Sequence, residues 1–309
     1  MSLSICCQWL EPRTKRDGSV IFENSIKERI LQLGRYNSGK YDDNKINGTY
    51  HNNVDQLIQL VPKLVANNIK SFRMSSNVLP LFDRTGNMAQ TDELLLYKFK
   101  KLGRLFLDNG IRVTSHPGQF TVISSDSDLV IANAIKELEY HSWMFDAMGF
   151  EKTPYHAINI HGGKRDRSDR MVETILSLPE NVRKRLTLEN DERCYNVRQL
   201  LDVSEKTGVP VVWDSHHHVF NDAGMTMDEA MWESAATWGD IKPLQHLSNT
   251  TPGLENGNFT ERRKHSYYIH YIPDVQREAM EADIVDVDIE AKGKNLALLK
   301  MRKDFSLKV

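Results

Sequence analysis

The chain has 309 residues, of which 40% are hydrophobic and 27% charged, and its net charge is −2; a charge so near zero excludes any general electrostatic pull on nucleic acid, which would have to come from bound cations and local basic patches. Three cysteines, two of them adjacent (Cys6, Cys7), exclude a disulfide framework. The longest apolar runs, such as Val209–Trp213, are too short to span a bilayer, and the first residues lack the basic-then-apolar pattern of a secretory leader, so an intracellular, reducing location is expected.

Short β-rich runs alternate with longer amphipathic stretches along the chain. The predicted strands are Leu3–Trp9, Lys70–Ser75, Arg112–Ser115, Ala157–Ile160, Arg185–Leu188, Val209–Trp213, Pro243–Leu247 and Ile284–Ile289. Helical periodicity fills the gaps at Val54–Asn67, Asp92–Asp108, Leu129–Met148, Val197–Thr207 and Thr226–Trp238, several closed by Gly or Asn. Eight strands alternating with helices predict one (β/α)8 TIM-barrel domain over residues 1–309. A doubly wound sheet would need a glycine-rich phosphate loop of the form GxGxxG, and none is present; no nucleotide cofactor is expected. Two segments interrupt the pattern: a polar insertion over Glu11–Asn53 and a long loop over Asn249–Lys264.

The residues at the strand ends are informative. His116 comes after the third predicted strand, His161 after the fourth, Glu189 after the fifth and Asp214 after the sixth; His246 lies in the seventh and Glu290 ends the eighth. In a TIM barrel these strand ends converge on one face. Crowding so many imidazoles and carboxylates together is costly unless a cation compensates. The mixed nitrogen and oxygen set suits Zn²⁺, Mn²⁺ or Fe²⁺, whereas Ca²⁺ or Mg²⁺ alone prefers oxygen. More than one ion is expected, with Glu189 and Glu290 as bridging candidates. Paired ions suit phosphodiester cleavage, one activating water and another stabilising the leaving oxygen. Within the run His216-His217-His218, His217 is favoured, because three residues after Asp214 it can share a site around one turn. His51, His141, His156 and His270 read as surface or satisfied core residues. Phosphate contacts are expected from Lys164, Arg165, Arg167 and Arg170 after the fourth strand, and from Arg262, Arg263 and Lys264 after the seventh. Lys292 and Lys294, just past Glu290, are placed to meet a cleaved phosphate, and Lys292 is taken with Glu189, Asp214 and Glu290 as the catalytic set.

The strings FRMSSN (Phe72–Asn77), SHPGQF (Ser115–Phe120), LENDE (Leu188–Glu192), PVVWDSHHH (Pro210–His218) and IEAKGK (Ile289–Lys294) resemble the ultraviolet damage endonucleases, in consistent order from about Val54 to Lys300. That resemblance implies a TIM barrel with two or three divalent ions, commonly Mn²⁺ with Zn²⁺ or Mg²⁺ as substitutes. It implies nicking of double-stranded DNA immediately 5′ of ultraviolet photoproducts and some other lesions. A compact barrel with no obvious partner helix is compatible with a monomer. Carried over by position, it makes His116, His161 and Glu189 one metal group, and Glu189, Asp214, His246 and Glu290 a second. His217 and His265 hold the third ion. Gln119 and Phe120 match the pair that enters the duplex at the lesion. There are departures. Asn77 stands where some members place a metal-binding His, which leaves it to the DNA-contacting set. Leu244 lies two residues before His246, where some members carry a lysine. Cys6 lies in a strand whose end offers an aromatic probe in some relatives.

Two rivals share the barrel. An abasic-site endonuclease of the endonuclease IV type characteristically has an acidic residue two before its last metal-binding His; here that place, relative to His265, is Arg263. A sugar isomerase or epimerase would need only one or two ions and an enclosed pocket, which the Gln119-Phe120 pair and the basic clusters fit poorly.

Overall fold

The computed structural model describes residues 2–307. Ten strands form in chain order: β1 (Leu3–Cys6), β2 (Leu10–Thr14), β3 (Val20–Asn24), β4 (Ser71–Met74), β5 (Arg112–Ser115), β6 (Ile158–Ile160), β7 (Leu186–Glu189), β8 (Val211–Asp214), β9 (Leu244–Leu247) and β10 (Asp286–Ile289). Eight of them, β1 and β4 to β10, close a parallel barrel in sequential order, with β1 pairing β4 on one side and β10 on the other. The predicted TIM barrel is the observed fold. Its strands are only three or four residues long and are buried almost throughout. Such strands need helices outside and packed side chains inside, which is why they read as continuous apolar runs.

Two strands end one residue further along than the periodicity placed them. Glu189 and Asp214 are the last residues of β7 and β8, inside the ladder. The first predicted strand, by contrast, stops at Cys6. Cys7 turns with φ 63°, and the chain leaves the barrel to build the antiparallel hairpin of β2 and β3.

The Glu11–Asn53 segment is only partly an insertion. Its last eleven residues are the first turns of a helix that spans Asp43–Ala66, where Val54–Asn67 was predicted. Asn44, Asn47, Gly48, Asn52 and Asn53 are poor helix formers, so the stretch reads as loop. The burial pattern shows the signal that overrides them. Ile46, Tyr50, Val54, Leu57, Leu60, Val61 and Leu64 form one buried stripe at helical spacing, and the Asp42 carboxylate caps the helix by accepting from the Lys45 amide at 2.7 Å. The other predicted helices stand within two residues at each end. Gly208 closes Val197–Thr207 in the left-handed region at φ 72°, which side chains disfavour.

His156 is a satisfied core residue, as expected of it. Its ring stacks on Phe150 at 4.2 Å and its Nδ1 lies 3.0 Å from the Val113 carbonyl. Burial pushes its pKa down to about 4. Above pH 6.5 the imidazole is neutral in both the folded and unfolded chain. As pH falls from 6.5 towards 4 the unfolded chain takes up a proton that the folded one refuses, so stability is lost with falling pH. By pH 5 this single group removes about 2 kcal/mol. Urea denaturation of His156→Phe and the wild type at pH 7.5 and pH 5 checks it: the variant should lose less stability between the two, and equal losses would contradict the assignment.

Candidate metal centre

The C-terminal mouth of the barrel is where the strands deliver their polar residues. β7 ends in Glu189 and β8 in Asp214, β9 contains His246, and His116, His161 and Glu290 come directly after β5, β6 and β10. The ladder register aligns them, setting Asp214 beside His246 and His246 beside Asp288. After Asp214 the chain makes one helical turn, Ser215–His218, in which the Asp214 side chain accepts from the His217 amide at 2.7 Å. That turn returns the His217 side chain to the mouth, while His216 and His218 stay buried outside the cluster.

Glu189 is the hub, fully buried. Its Oε2 lies 3.0 Å from His116 Nε2 and 4.0 Å from His161 Nε2, and accepts from the Asn159 amide. Its Oε1 lies 3.1 Å from His246 Nδ1 and 3.3 Å from His217 Nδ1. His246 Nδ1 is also 3.3 Å from Glu290 Oε1, and Asp214 Oδ2 is 3.9 Å from His217 Nδ1. Among the described residues three groups can each hold an ion: His116, His161 and Glu189; Glu189, Asp214 and His217; and Glu189, His246 and Glu290. The resemblance grouped Asp214 with His246 and Glu290; the geometry sets Asp214 with His217, the pair that their three-residue spacing suggested. His265 belongs to none of the three. Its Nδ1 lies 2.8 Å from the Glu290 carbonyl and its ring is 6.3 Å from that of His217.

Burial alone would push the Glu189 carboxyl up, but the surrounding imidazoles, His246 and His161 first, hold it well below the usual carboxylate range. Glu290 is likewise held down, against burial, by the Arg73 guanidinium and His246. In return His217, next to Asp214 and Glu189, and His246, next to Glu189 and Glu290, are raised well above the usual imidazole value despite their burial. His161 goes the other way, lowered by burial.

A hydrogen-bond test shows what the cluster lacks. Glu189 Oε1 and His246 Nδ1 are 3.1 Å apart, yet neither makes an aligned hydrogen bond, and Asp214 Oδ2, both Asp288 oxygens and His161 Nδ1 are buried without a partner as well. Native interiors seldom leave this many polar atoms orphaned. Imidazoles and carboxylates that converge with so few aligned hydrogen bonds fit a bound cation, and this donor set is one that divalent ions take.

The centre opens into a cleft of about 530 Å³ lined by His116, His161, His217, His265, Glu290 and Gln119, among others. Phe120 stands at its edge, 84% exposed. Asn77 is exposed beyond β4, and its carbonyl accepts from Asn53. The basic residues are less free than their sequence suggested. Arg263 pairs with Glu192, Arg165 donates to the Arg193 carbonyl, Lys164 and Arg167 both pair with Asp126, and Arg170 pairs with Asp128. Lys264 is exposed. Lys292 is exposed too, but it is not among the residues lining the cleft.

Two features of the site were not singled out from sequence. Arg73, in the middle of β4, reaches Glu290, and Glu192 lies 3.8 Å from His217 Nε2 under the Arg263 guanidinium. A charged residue between Phe72 and Met74 in a strand buried on both faces was the available signal for Arg73.

Fold and site together define a TIM barrel with a candidate metal centre at its C-terminal mouth. The family model of UV-endonuclease UvdE matches residues 20–308, and the chain belongs to that family. It is 32% identical to the UV DNA damage endonuclease of Deinococcus radiodurans over 287 residues, covering 90% of each chain. The enzyme of the same name from a Nostoc species is 32% identical over 93% of this chain and 86% of the relative. The crystal structure of SacUVDE superposes over the whole of both chains with a TM-score of 0.79 at 25% identity. Endonuclease IV from Thermus thermophilus shares the fold more distantly, with a TM-score of 0.57 at 15% identity over 81% of this chain and 93% of that one.

Proposed function

We propose that the protein is a metal-dependent DNA repair endonuclease that nicks the damaged strand immediately 5′ of ultraviolet photoproducts. The observation that carries the reading is the Glu189-centred cluster, whose buried lone pairs lack partners, at the base of a cleft that opens beside an exposed aromatic ring. Family membership and full-length relatives named UV DNA damage endonuclease support it.

His116, His161 and Glu189, then Asp214, His217, His246 and Glu290, would hold two or three divalent ions, with Mn²⁺ the proposed metal. Bound there, such ions would lower the pKa of the attacking water and neutralise charge on the leaving oxygen. The chain's own part is preorganisation. His265 Nδ1 lies 2.8 Å from the Glu290 carbonyl. Donation through that nitrogen orients the ring and leaves Nε2 free as a ligand. Glu192, held ionised by His217 and Arg263 against its burial, fixes an anion beside them. Gln119 and Phe120 project from the loop after His116, where an amide and a ring can fill the gap left when damaged bases leave the stack. Lys264 and Arg165, both exposed, are the proposed phosphate contacts. A DNA substrate places the protein inside the cell, where its unpaired cysteines Cys6, Cys7 and Cys194 stay reduced. Among the described residues no helix is long and apolar enough to cross a membrane.

The test is a nicking assay on three otherwise identical duplexes, with a cyclobutane pyrimidine dimer, an abasic site or no damage, run with Mn²⁺ and with chelator. Metal-dependent cleavage directly 5′ of the dimer is the expected result. Cleavage confined to the abasic site would move the protein to the endonuclease IV activity, and no cleavage with metals bound would end the nuclease reading. On the same substrates Phe120→Ala should bind the dimer duplex about tenfold more weakly, the size of one lost base–aromatic stack, with Mn²⁺ affinity unchanged. Equal lesion preference in variant and wild type would remove Phe120 from recognition.

A further inference from the structure

Three arginines in the barrel strands and at their bases are buried or nearly so, and they differ in how fully their donors are used. Arg112, fully buried, donates from Nε to the Tyr155 carbonyl, from Nη1 to the Lys242 carbonyl and Asp286, and from Nη2 towards the Pro154 carbonyl. Arg185, also fully buried, donates from Nε to the Glu151 carbonyl, from Nη1 to Ser142 and from Nη2 to the Phe150 carbonyl and Asp146. Every nitrogen of both has an acceptor. These two are structural, at the end of the barrel away from the cleft.

Arg73 is different. Its side chain is 14% exposed and lines the cleft, Nη1 pairs with Glu290, and Nε is buried with no partner. Taking a guanidinium out of water costs several kcal/mol unless its donors are met. A planar five-donor fork matches a phosphate edge better than it matches one carboxylate oxygen. Glu290, its single charged partner, is also drawn on by His246 at 3.3 Å and is a candidate ion ligand. An ion that takes Glu290 would leave the guanidinium with still fewer acceptors.

We propose that Arg73 docks the DNA phosphate at the cleavage site, its guanidinium donating to the non-bridging oxygens from the part that lines the cleft. The inference rests on the endonuclease reading for the identity of the substrate. It gives the site a fixed protein cation, held by β4 between Phe72 and Met74, that does not depend on metal loading. It also supplies positive charge where the overall charge of −2 offers none.

The experiment compares wild type, Arg73→Gln and Arg73→Lys in full-length protein. Three quantities are read: Mn²⁺ affinity by calorimetry, binding of the dimer duplex in chelator by fluorescence anisotropy across salt concentrations, and kcat for nicking with Mn²⁺. Arg73→Gln is expected to bind Mn²⁺ no more weakly than wild type, since a competing cation beside Glu290 has gone. Its metal-free duplex affinity should fall about tenfold, with the salt slope smaller by about one. Its kcat should fall about 100-fold. Arg73→Lys, which keeps the charge against Glu290 and so protects the fold, should recover part of the affinity but less of kcat, because it lacks the fork. If Mn²⁺ affinity falls in step with nicking while metal-free duplex binding is unchanged, Arg73 serves only Glu290 and the proposal is overturned. Duplex binding and nicking within threefold of wild type in Arg73→Gln would overturn it too. A wild type whose duplex binding depends on Arg73 but which never nicks would instead sink the endonuclease reading and leave the phosphate contact standing.

Discussion

Glu189→Gln is expected to abolish nicking while the protein still folds. All three candidate ion groups share this one carboxylate, and its two oxygens lie within 4.0 Å of four imidazoles. Glutamine keeps the volume and removes the charge, and one of its two ends becomes an amide that presents protons where the lone pairs converged. Both halves of the centre lose a ligand together, so the effect should exceed that of removing one transition-state donor, which is about 10²–10³ in kcat. A fall of about 10⁴ or more is expected, with fewer Mn²⁺ bound per chain by calorimetry. The variant should still unfold cooperatively in chelator, though less stable than the wild type, because its imidazoles lose the anion they face. A variant that nicks within tenfold of wild type would take Glu189 out of the centre.

The largest effect on stability is expected at Gly103, far from the mouth. It lies in the helix Glu93–Asp108 where that helix crosses the end of Asp128–Met148, and a Cβ built on it would sit 1.9 Å from the Met148 carbonyl oxygen and 2.7 Å from its carbonyl carbon. Both atoms are backbone, so no rotamer change relieves the clash and the helices must move apart. Overpacking of this kind costs typically about 1–3 kcal/mol and sometimes more. Alanine's better helix propensity returns about 1 kcal/mol of it. For so close a backbone contact the upper end of that cost applies, and the net expected loss for Gly103→Ala is about 2 kcal/mol by urea denaturation. Gly48→Ala is the internal control. Gly48 is exposed in the helix Asp43–Ala66 with nothing within 4 Å of its built Cβ, and there the same substitution should stabilise by up to about 1 kcal/mol. Equal effects at the two positions would show that helix contact does not explain Gly103.

Periodicity and chain order made much of the molecule legible without the structure. The eight barrel strands, and the fact that His116, His161, Glu189, Asp214, His246 and Glu290 stand at or near strand ends, are local properties of the sequence. A closed parallel barrel then sends those ends to one mouth whatever the details. The first turns of the Asp43–Ala66 helix were hidden because asparagine and glycine speak for a loop locally, while the buried stripe from Ile46 to Leu64 that stabilises the helix is a tertiary fact.

The division at the site has the same cause. Sequence spacing chose His217 over its two neighbours, since one helical turn after Asp214 suffices to aim it. It could not say which of His116, His161, His246 and Glu290 join Glu189 in each group, because that depends on how side chains from separate strands meet across the mouth. Nor could it tell basic residues that face solvent from those already matched, as Arg263 is by Glu192 and Arg167 by Asp126, since their acidic partners lie 71 and 41 residues away. Arg73 shows the limit most clearly. Residue type and strand position made it visible as an oddity; only the packed structure shows that its carboxylate partner is Glu290 and that its buried Nε has no acceptor. Along the chain, residue order settles what each strand carries to the mouth. Which of those groups touch, and which are left unsatisfied, is settled by the barrel's closure, because hydrogen bonds and ion pairs act over distances that sequence separation does not measure.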